Sequence, residues 1–277
     1  MFEMLNVFVA LFGSFFAGIW DLKTTDIPDS VCLSMIGIGF ATHILESLMI
    51  GSWEPLITSL IVGFGFLLFG LFMYFSGQWG GGDGELMVAI GVLIPTYPFQ
   101  QFLIPFAFAF FVNVFFIGAI YSILYAVFLT MRDKKLKRSV ISNLNKNKNF
   151  ILYSFVFSTI IGAGVYYIFG NILFAVSFPV LITLFAVLFF FLKDVEKGFH
   201  RKILSKNLKV DDMIGEDIPK LKIFKKEIRG LTKKEVSAIK RMKKYVVIRD
   251  GVRFGIVFPL ALLATIILGD FLTYLIF

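Results

Sequence analysis

Two aspartates stand out in this 277-residue chain. Asp21 follows the apolar run FFAGIW and opens DLKTTDIPDS, and Asp83 sits in WGGGDGELM at the start of another apolar stretch. Charged groups near a bilayer core are costly, so an acid at such a boundary is either a solvated helix cap or a working group. Each aspartate alone reads as a cap. Taken together they suggest a specific chemistry, because two neighbouring carboxyls cannot both ionise easily and so share one proton. The ionised member draws a proton from water, which attacks an amide carbonyl. The protonated member donates to the carbonyl oxygen and then assists the leaving amine. Gly80, Gly81 and Gly82 suit such a site: without side chains they let an extended backbone approach Asp83, and they permit positive φ.

The elements that must position this pair are membrane helices. The chain is 58% hydrophobic, has a mean hydropathy of +0.84 and contains 36 Phe. The fold class this implies is an α-helical polytopic membrane protein with a small basic α+β subdomain. Apolar segments are predicted at 2–20, 31–50, 55–75, 85–101, 103–130, 150–169, 172–192 and 254–277, which makes about eight transmembrane helices. The short alternating strands of a membrane barrel are not evident. Of the 27 Lys and Arg, Lys23 follows the first segment, seven lie between the fifth and sixth, and the other nineteen lie from Lys193 to Arg253. An eight-span path puts all three stretches on one side, which the retention of basic loops makes the cytoplasmic side of the cell membrane. Asp21 and Asp83 then both fall at cytoplasmic helix ends, while the N-terminus and the GSWEP loop face outward. The opening MFEMLN has no basic leader, so no cleaved signal peptide is expected.

Three parts follow: a membrane-embedded catalytic domain at 1–192, a basic cytoplasmic subdomain at 193–253 and a last helix at 254–277. The fourth segment has a short apolar core, LMVAIGVLI, followed by Pro95 and Pro98. It reads as a short helix packed among other helices, because irregular backbone at membrane depth must be satisfied by protein or a watery cavity. Residues 150–192 read as a scaffold hairpin turning at Gly170 and Asn171. Gly63, Gly70 and Gly162 read as sites of close helix packing. In 193–253, Thr232 and Glu235 form a capping-box pattern ahead of an apolar stripe of Val236, Ile239 and Met242. YVVI (245–248) and KLKIF (220–224) read as short strands. The single cysteine, Cys32, excludes an internal disulfide, and the distant His43 and His200 show no metal-ligand spacing. No cofactor or metal is implied. The net charge of +8 is accounted for by topology and anionic lipid headgroups rather than by nucleic acid.

DLKTTDIPD, followed about 60 residues later by GGGDGEL, resembles the type IV prepilin peptidases, membrane aspartic proteases that carry a GxGD motif. The resemblance implies a catalytic pair of Asp21 and Asp83, with Gly80 and Gly82 as the motif glycines. Ile27, Pro28 and Asp29 match the end of the first motif. The likeness is greatest to the archaeal branch that processes preflagellins (archaellins) and prepilins, which lacks the cysteine-bearing segment and methyltransferase activity of many bacterial relatives. RDGVRFGIVFPLALLATI is similar to that branch's last helix. Two features depart from the pattern: Glu85 stands where many bacterial members have Lys, and the 150–192 hairpin exceeds a six-span plan. Presenilin-like GxGD proteases pair the motif with Tyr-Asp and Pro-Ala-Leu. Here Trp20 precedes Asp21, and FPLALL lacks the second motif.

The resemblance also implies precursors with a short basic leader ahead of an apolar helix, cut at the cytoplasmic face. Asp26, Asp29 and Glu85 then become candidates for holding that leader, against a plainer role as helix caps and partners of Lys23. His43 and Glu46 read as a structural pair toward the outer end of the second segment. Asp270 reads as an outer-boundary residue, and Gln78 and Trp79 as residues at the site entrance. An ion-coupled transporter would show repeats and midplane charges, neither of which is visible. A membrane-anchored scaffold would give the two aspartates no joint role.

Overall fold

Inside a bilayer each backbone N–H and C=O must be satisfied within the protein, so long apolar runs become helices. The computed structural model describes residues 2–97, 104–170, 172–210, 212–221, 223–224, 230–249 and 252–269. The helices are α1 (Phe2–Thr24), α2 (Asp29–Ile50), α3 (Glu54–Phe75), α4 (Gly81–Leu93), α5 (Phe106–Arg132), α6 (Lys134–Lys146), α7 (Lys148–Phe169), α8 (Ile172–Gly198), α9 (Lys233–Met242) and α10 (Val257–Leu268). Three strands, β1 (His200–Leu204), β2 (Met213–Ile214) and β3 (Tyr245–Arg249), lie among them. Among the described residues six helices, α1, α2, α3, α5, α7 and α8, are long and apolar enough to cross a membrane. The chain is a multi-pass membrane protein.

Two of the eight predicted segments differ from this set. The fourth is a helix of 13 residues, about 20 Å at 1.5 Å per residue, short of a hydrocarbon core of about 30 Å. It ends at Leu93, two residues before Pro95, as expected where a proline disfavours helix in the residue before it. The last segment is helical over Val257–Leu268 after a 3-10 turn at Phe254–Ile256. Pro98, Asn171 and Asp270 lie outside the described residues.

The chain divides into two compact units, of which the first comprises Met1–Ser122, Ile218–Thr232 and Gly251–Phe277. Its axis is α4. Leu86, Met87, Ala89 and Ile90 have no exposed surface, the mark of a helix apolar on all sides and surrounded by others. Glycines bring the neighbours close: a Cβ at Gly70 would lie 3.0 Å from the Cα of Gly84, and one at Gly63 2.6 Å from Val92. This is the close packing expected of both glycines. The far end of α4 is buried, so its last carbonyls need partners. Ser59 donates to the Val92 carbonyl at 2.8 Å, and Nε2 of His43 lies 3.0 Å from the same oxygen.

The second unit comprises Ile123–Asp217 and Lys233–Asp250. It holds the α7–α8 hairpin and an antiparallel sheet of order β1-β3-β2, with His200 opposite Arg249 and Met213 opposite the same residue. YVVI is therefore a strand, whereas the described residues of KLKIF, which belongs to the first unit, form none: Pro219–Leu221 make a 3-10 turn beside a bridge between Ile218 and Ile223. On α9 the buried stripe is Val236 and Ile239, whereas Met242 is exposed. Basic α6 was not anticipated. Asp133 caps it by accepting from the amides of Lys135 and Leu136, and Leu136 and Val140 pack with Val195 and Ala126. The signals were present in the sequence: an Asp at the cap and apolar residues at 136, 140 and 144.

Candidate active site

Asp21 is on the last turn of α1 and is only 7% exposed. Its Oδ2 accepts the backbone N–H of Gly255 at 2.9 Å. The helix ends just beyond, where the Thr25 amide donates to the Asp21 carbonyl at 2.8 Å and Thr25 itself has φ 59°. A left-handed residue is a common helix stop, but a β-branched one is strained there. Arg253 donates from its guanidinium to the Leu22 carbonyl, and its own carbonyl accepts the Tyr121 hydroxyl at 2.9 Å. The backbones of α1 and the α10 lead-in nearly touch: a Cβ at Gly18 would lie 2.8 Å from the Cα of Ile256.

Asp83 is on the first turn of α4, where its Oδ2 accepts the Gly80 N–H at 3.0 Å. The side chain thus reaches back to cap its own helix. Ile27, 5% exposed, is wedged between the two aspartates' supports. A Cβ at Gly82 would come within 2.7 Å of the Ile27 Cβ, and one at Gly255 within 3.1 Å of its Cδ1. Pro28 then caps α2 with extended backbone. Asp21 and Asp83 lie close enough for their charges to act on one another. The structure therefore brings the two aspartates together, with Ile27 between the segments that hold them.

The three glycines are not equivalent. Gly82 has no room for a side chain, whereas a Cβ at Gly80 or Gly81 would make only ordinary contacts, at 3.4 and 4.0 Å. None of the three adopts positive φ; that conformation falls at Gly77, four residues before α4 begins.

Among the acidic candidates, Asp26 is exposed within electrostatic reach of Asp21. Asp29, exposed, and Glu85, half-buried, are within reach of one another, and Oε2 of Glu85 is buried without a hydrogen-bond partner. Cys32 is fully buried beside this group. Gln78 is exposed, but Trp79 is a core residue, packed on Phe69, Phe254 and Phe258 with centroids 5.4–5.8 Å apart. An indole in that aromatic cluster buries its large apolar surface, which is why it is not at an entrance. His43 and Glu46 do form a pair, Nδ1 to Oε2 at 3.5 Å, but the larger task of His43 is at the end of α4. A cavity of about 170 Å³ beside them is lined by Glu3, Asn6, Glu54 and Thr58 and does not include the aspartates. Among the described residues, no cluster of three or more His, Cys, Asp or Glu could hold a metal ion.

A pair of aspartates on two membrane-protein helices, the second in GxGD, invites comparison with known proteins. Residues 8–123 match the Type IV leader peptidase family. That span includes Asp21, Ile27 and Gly80 to Asp83. The preflagellin peptidase of Methanocaldococcus jannaschii is 40% identical over 95 residues, 34% of this chain and 40% of that protein. The prepilin peptidase EppA of Methanothermobacter thermautotrophicus is 31% identical over 96 residues, 35% of this chain and 25% of that one. The preflagellin peptidase of Methanococcus voltae is 29% identical over 99 residues, 36% of this chain and 42% of that one. The chain thus spans less than half the length of each of these relatives. Gly255, Arg253 and Tyr121 were not picked out from the sequence. Arg253 and Gly255 fall in RDGVRFGIVFPLALLATI, noted only for its similarity to the last helix of the archaeal branch, and Tyr121 falls inside the fifth predicted segment.

Proposed function

We propose that this protein is an aspartic endopeptidase of the membrane that removes a short basic leader from prepilin-like or preflagellin precursors, with Asp21 and Asp83 as the catalytic pair. The observation that carries the reading is that two carboxyls about 60 residues apart in sequence are supported by segments that both pack against Ile27, each held on Oδ2 by a backbone amide. The family model matched over residues 8–123 and the names of the relatives support the same activity and substrate class.

The chemistry needs no group beyond the pair and a water. One proton is shared between the carboxyls, because two like charges held together resist joint ionisation. The ionised carboxylate takes a proton from water as the oxygen bonds to the scissile carbonyl carbon. The protonated carboxyl gives its proton to the carbonyl oxygen. When the tetrahedral intermediate collapses, one of its hydroxyls returns a proton to the carboxyl that had protonated the carbonyl oxygen, the C–N bond breaks, and the amine leaves with the proton that the other carboxyl took from water. The amides of Gly80 and Gly255 fix the carboxyls so that little reorganisation accompanies these steps.

The Lys and Arg distribution orients the chain with the pair at the cytoplasmic face and the basic segments against anionic headgroups. The apolar helix of the precursor lies in the bilayer, and its leader emerges at the level of Asp21 and Asp83. Asp26, Asp29 and Glu85 supply negative charge for that leader in an otherwise basic surface. The test is cleavage of a co-expressed precursor by wild type, Asp21→Asn and Asp83→Asn. Each substitution should lower the rate at least about 1,000-fold, since the pair acts as a unit. Cleavage retained by either folded variant would remove the dyad. Charge reversal at Glu85 should slow strongly basic leaders more than weakly basic ones, and unchanged leader preference would exclude its role.

A further inference from the structure

The Asp21 carboxyl depends on a segment that none of the motif residues supplies. Gly255 donates its amide to Oδ2 at 2.9 Å, and a larger residue would crowd the carboxyl it holds: a Cβ would lie 3.0 Å from both Cβ and Oδ2 of Asp21 and 3.1 Å from Cδ1 of Ile27. The approach is possible because Gly18, on α1, also lacks a side chain against Ile256. Two residues earlier, Arg253 donates to the Leu22 carbonyl. That carbonyl is among the last four of α1, which have no partner inside the helix, and a cation is favoured at that end of the helix dipole. The charge of Arg253 also reaches Asp21. The segment is held in turn by the Tyr121 hydroxyl on the Arg253 carbonyl and by Gly118, which lies under the Phe254 ring.

We propose that Arg253 and Gly255 are positioning residues for the Asp21 carboxyl: Arg253 locks the end of α1 and Gly255 fixes the direction in which the carboxyl presents its oxygens. This rests on the peptidase reading and adds to it a third part of the site, outside residues 8–123. A carboxyl free to rotate about its last bond offers many orientations to water, whereas one bound to an amide offers few. Misplacement by about 1 Å is enough to lower a rate about 100-fold.

The experiment measures kcat and KM of the full-length protein in detergent on a precursor with a basic leader, for wild type, Asp21→Asn, Gly255→Ala, Arg253→Met and Arg253→Lys, with the thermal midpoint of each. Gly255→Ala should lower kcat about 100-fold and Arg253→Met about 10-fold, both with KM within about twofold, and Arg253→Lys should recover most of the Met loss. Should Gly255→Ala fail to fold, the Met and Lys pair decides. Wild-type kcat in Arg253→Met overturns the proposal, as does a loss that follows the folded fraction and is not recovered by Lys. An inactive wild type would sink the peptidase reading and this inference with it. Active wild type, inactive Asp21→Asn and normal Arg253→Met would remove this inference alone.

Discussion

Asp21 and Asp83 accept the same kind of bond from very different parts of the chain. Asp83 is held by an amide three residues away, in the turn that starts its own helix. Asp21 is held by an amide 234 residues away, in a segment that also contacts α1 at Gly18 and at the Leu22 carbonyl. The first arrangement forms with the helix, as any N-terminal cap does. The second exists only once α1 and the α10 lead-in have packed. A local bond is legible in the sequence and tolerant of change. A long-range bond is neither, and depends on every small residue that allows the approach.

Four substitutions would break or sharpen that contrast. The largest effect is expected at the wedge serving both sides: Gly82→Leu sets a Cβ 2.7 Å from the backbone-anchored Cβ of Ile27. It should lower cleavage at least about 100-fold and cost about 1–3 kcal/mol by overpacking, read by precursor turnover and unfolding in parallel. Next is Ser59→Ala at the remote end of α4, which leaves His43 as the remaining side chain on the Val92 carbonyl. A loss of about 1 kcal/mol with cleavage within about twofold is expected; a large kinetic effect would show that both ends of α4 matter to Asp83. Thr25→Gly should raise stability by about 0.5–1 kcal/mol, because relief of the left-handed Thr outweighs the added freedom of the unfolded chain. A chemical melt reads this directly. Smallest is Gly80→Ala, where the N–H is kept, φ is −71° and the new Cβ meets Asp83 Oδ2 at 3.4 Å. Cleavage should change less than about twofold, against the loss expected for Gly255→Ala. Equal losses at the two glycines would erase the distinction between the local and the long-range bond.

The membrane class was legible because hydropathy depends on composition alone, and so were the two aspartates, because their motifs are contiguous. The number of long spans was not fully legible. α4 is apolar because it is buried in protein, and an apolar helix of 13 residues looks in sequence like part of a longer one. The fate of KLKIF was lost for a similar reason: alternating residues are compatible with a strand, but only a neighbour with free ladder positions makes one, and Ile218 offers a single bridge. Trp79 was misplaced because adjacency to a motif says nothing about which way an indole turns; a position four residues before Asp83 coexists with burial among Phe69, Phe254 and Phe258. The Gly255 amide had no sequence signal of its own, since any backbone N–H is a donor and only the fold selects which one meets Asp21.

The distance along the chain between Asp21 and its amide donor bears on biosynthesis. A nascent polypeptide paused before residue 255 already carries both carboxyls, yet lacks the amide that orients the first. On the proposed peptidase reading, hydrolytic competence would arrive late in translation, after α1 to α8 have been made, and a half-built chain threading into the lipid would be spared the activity of its own unfinished centre.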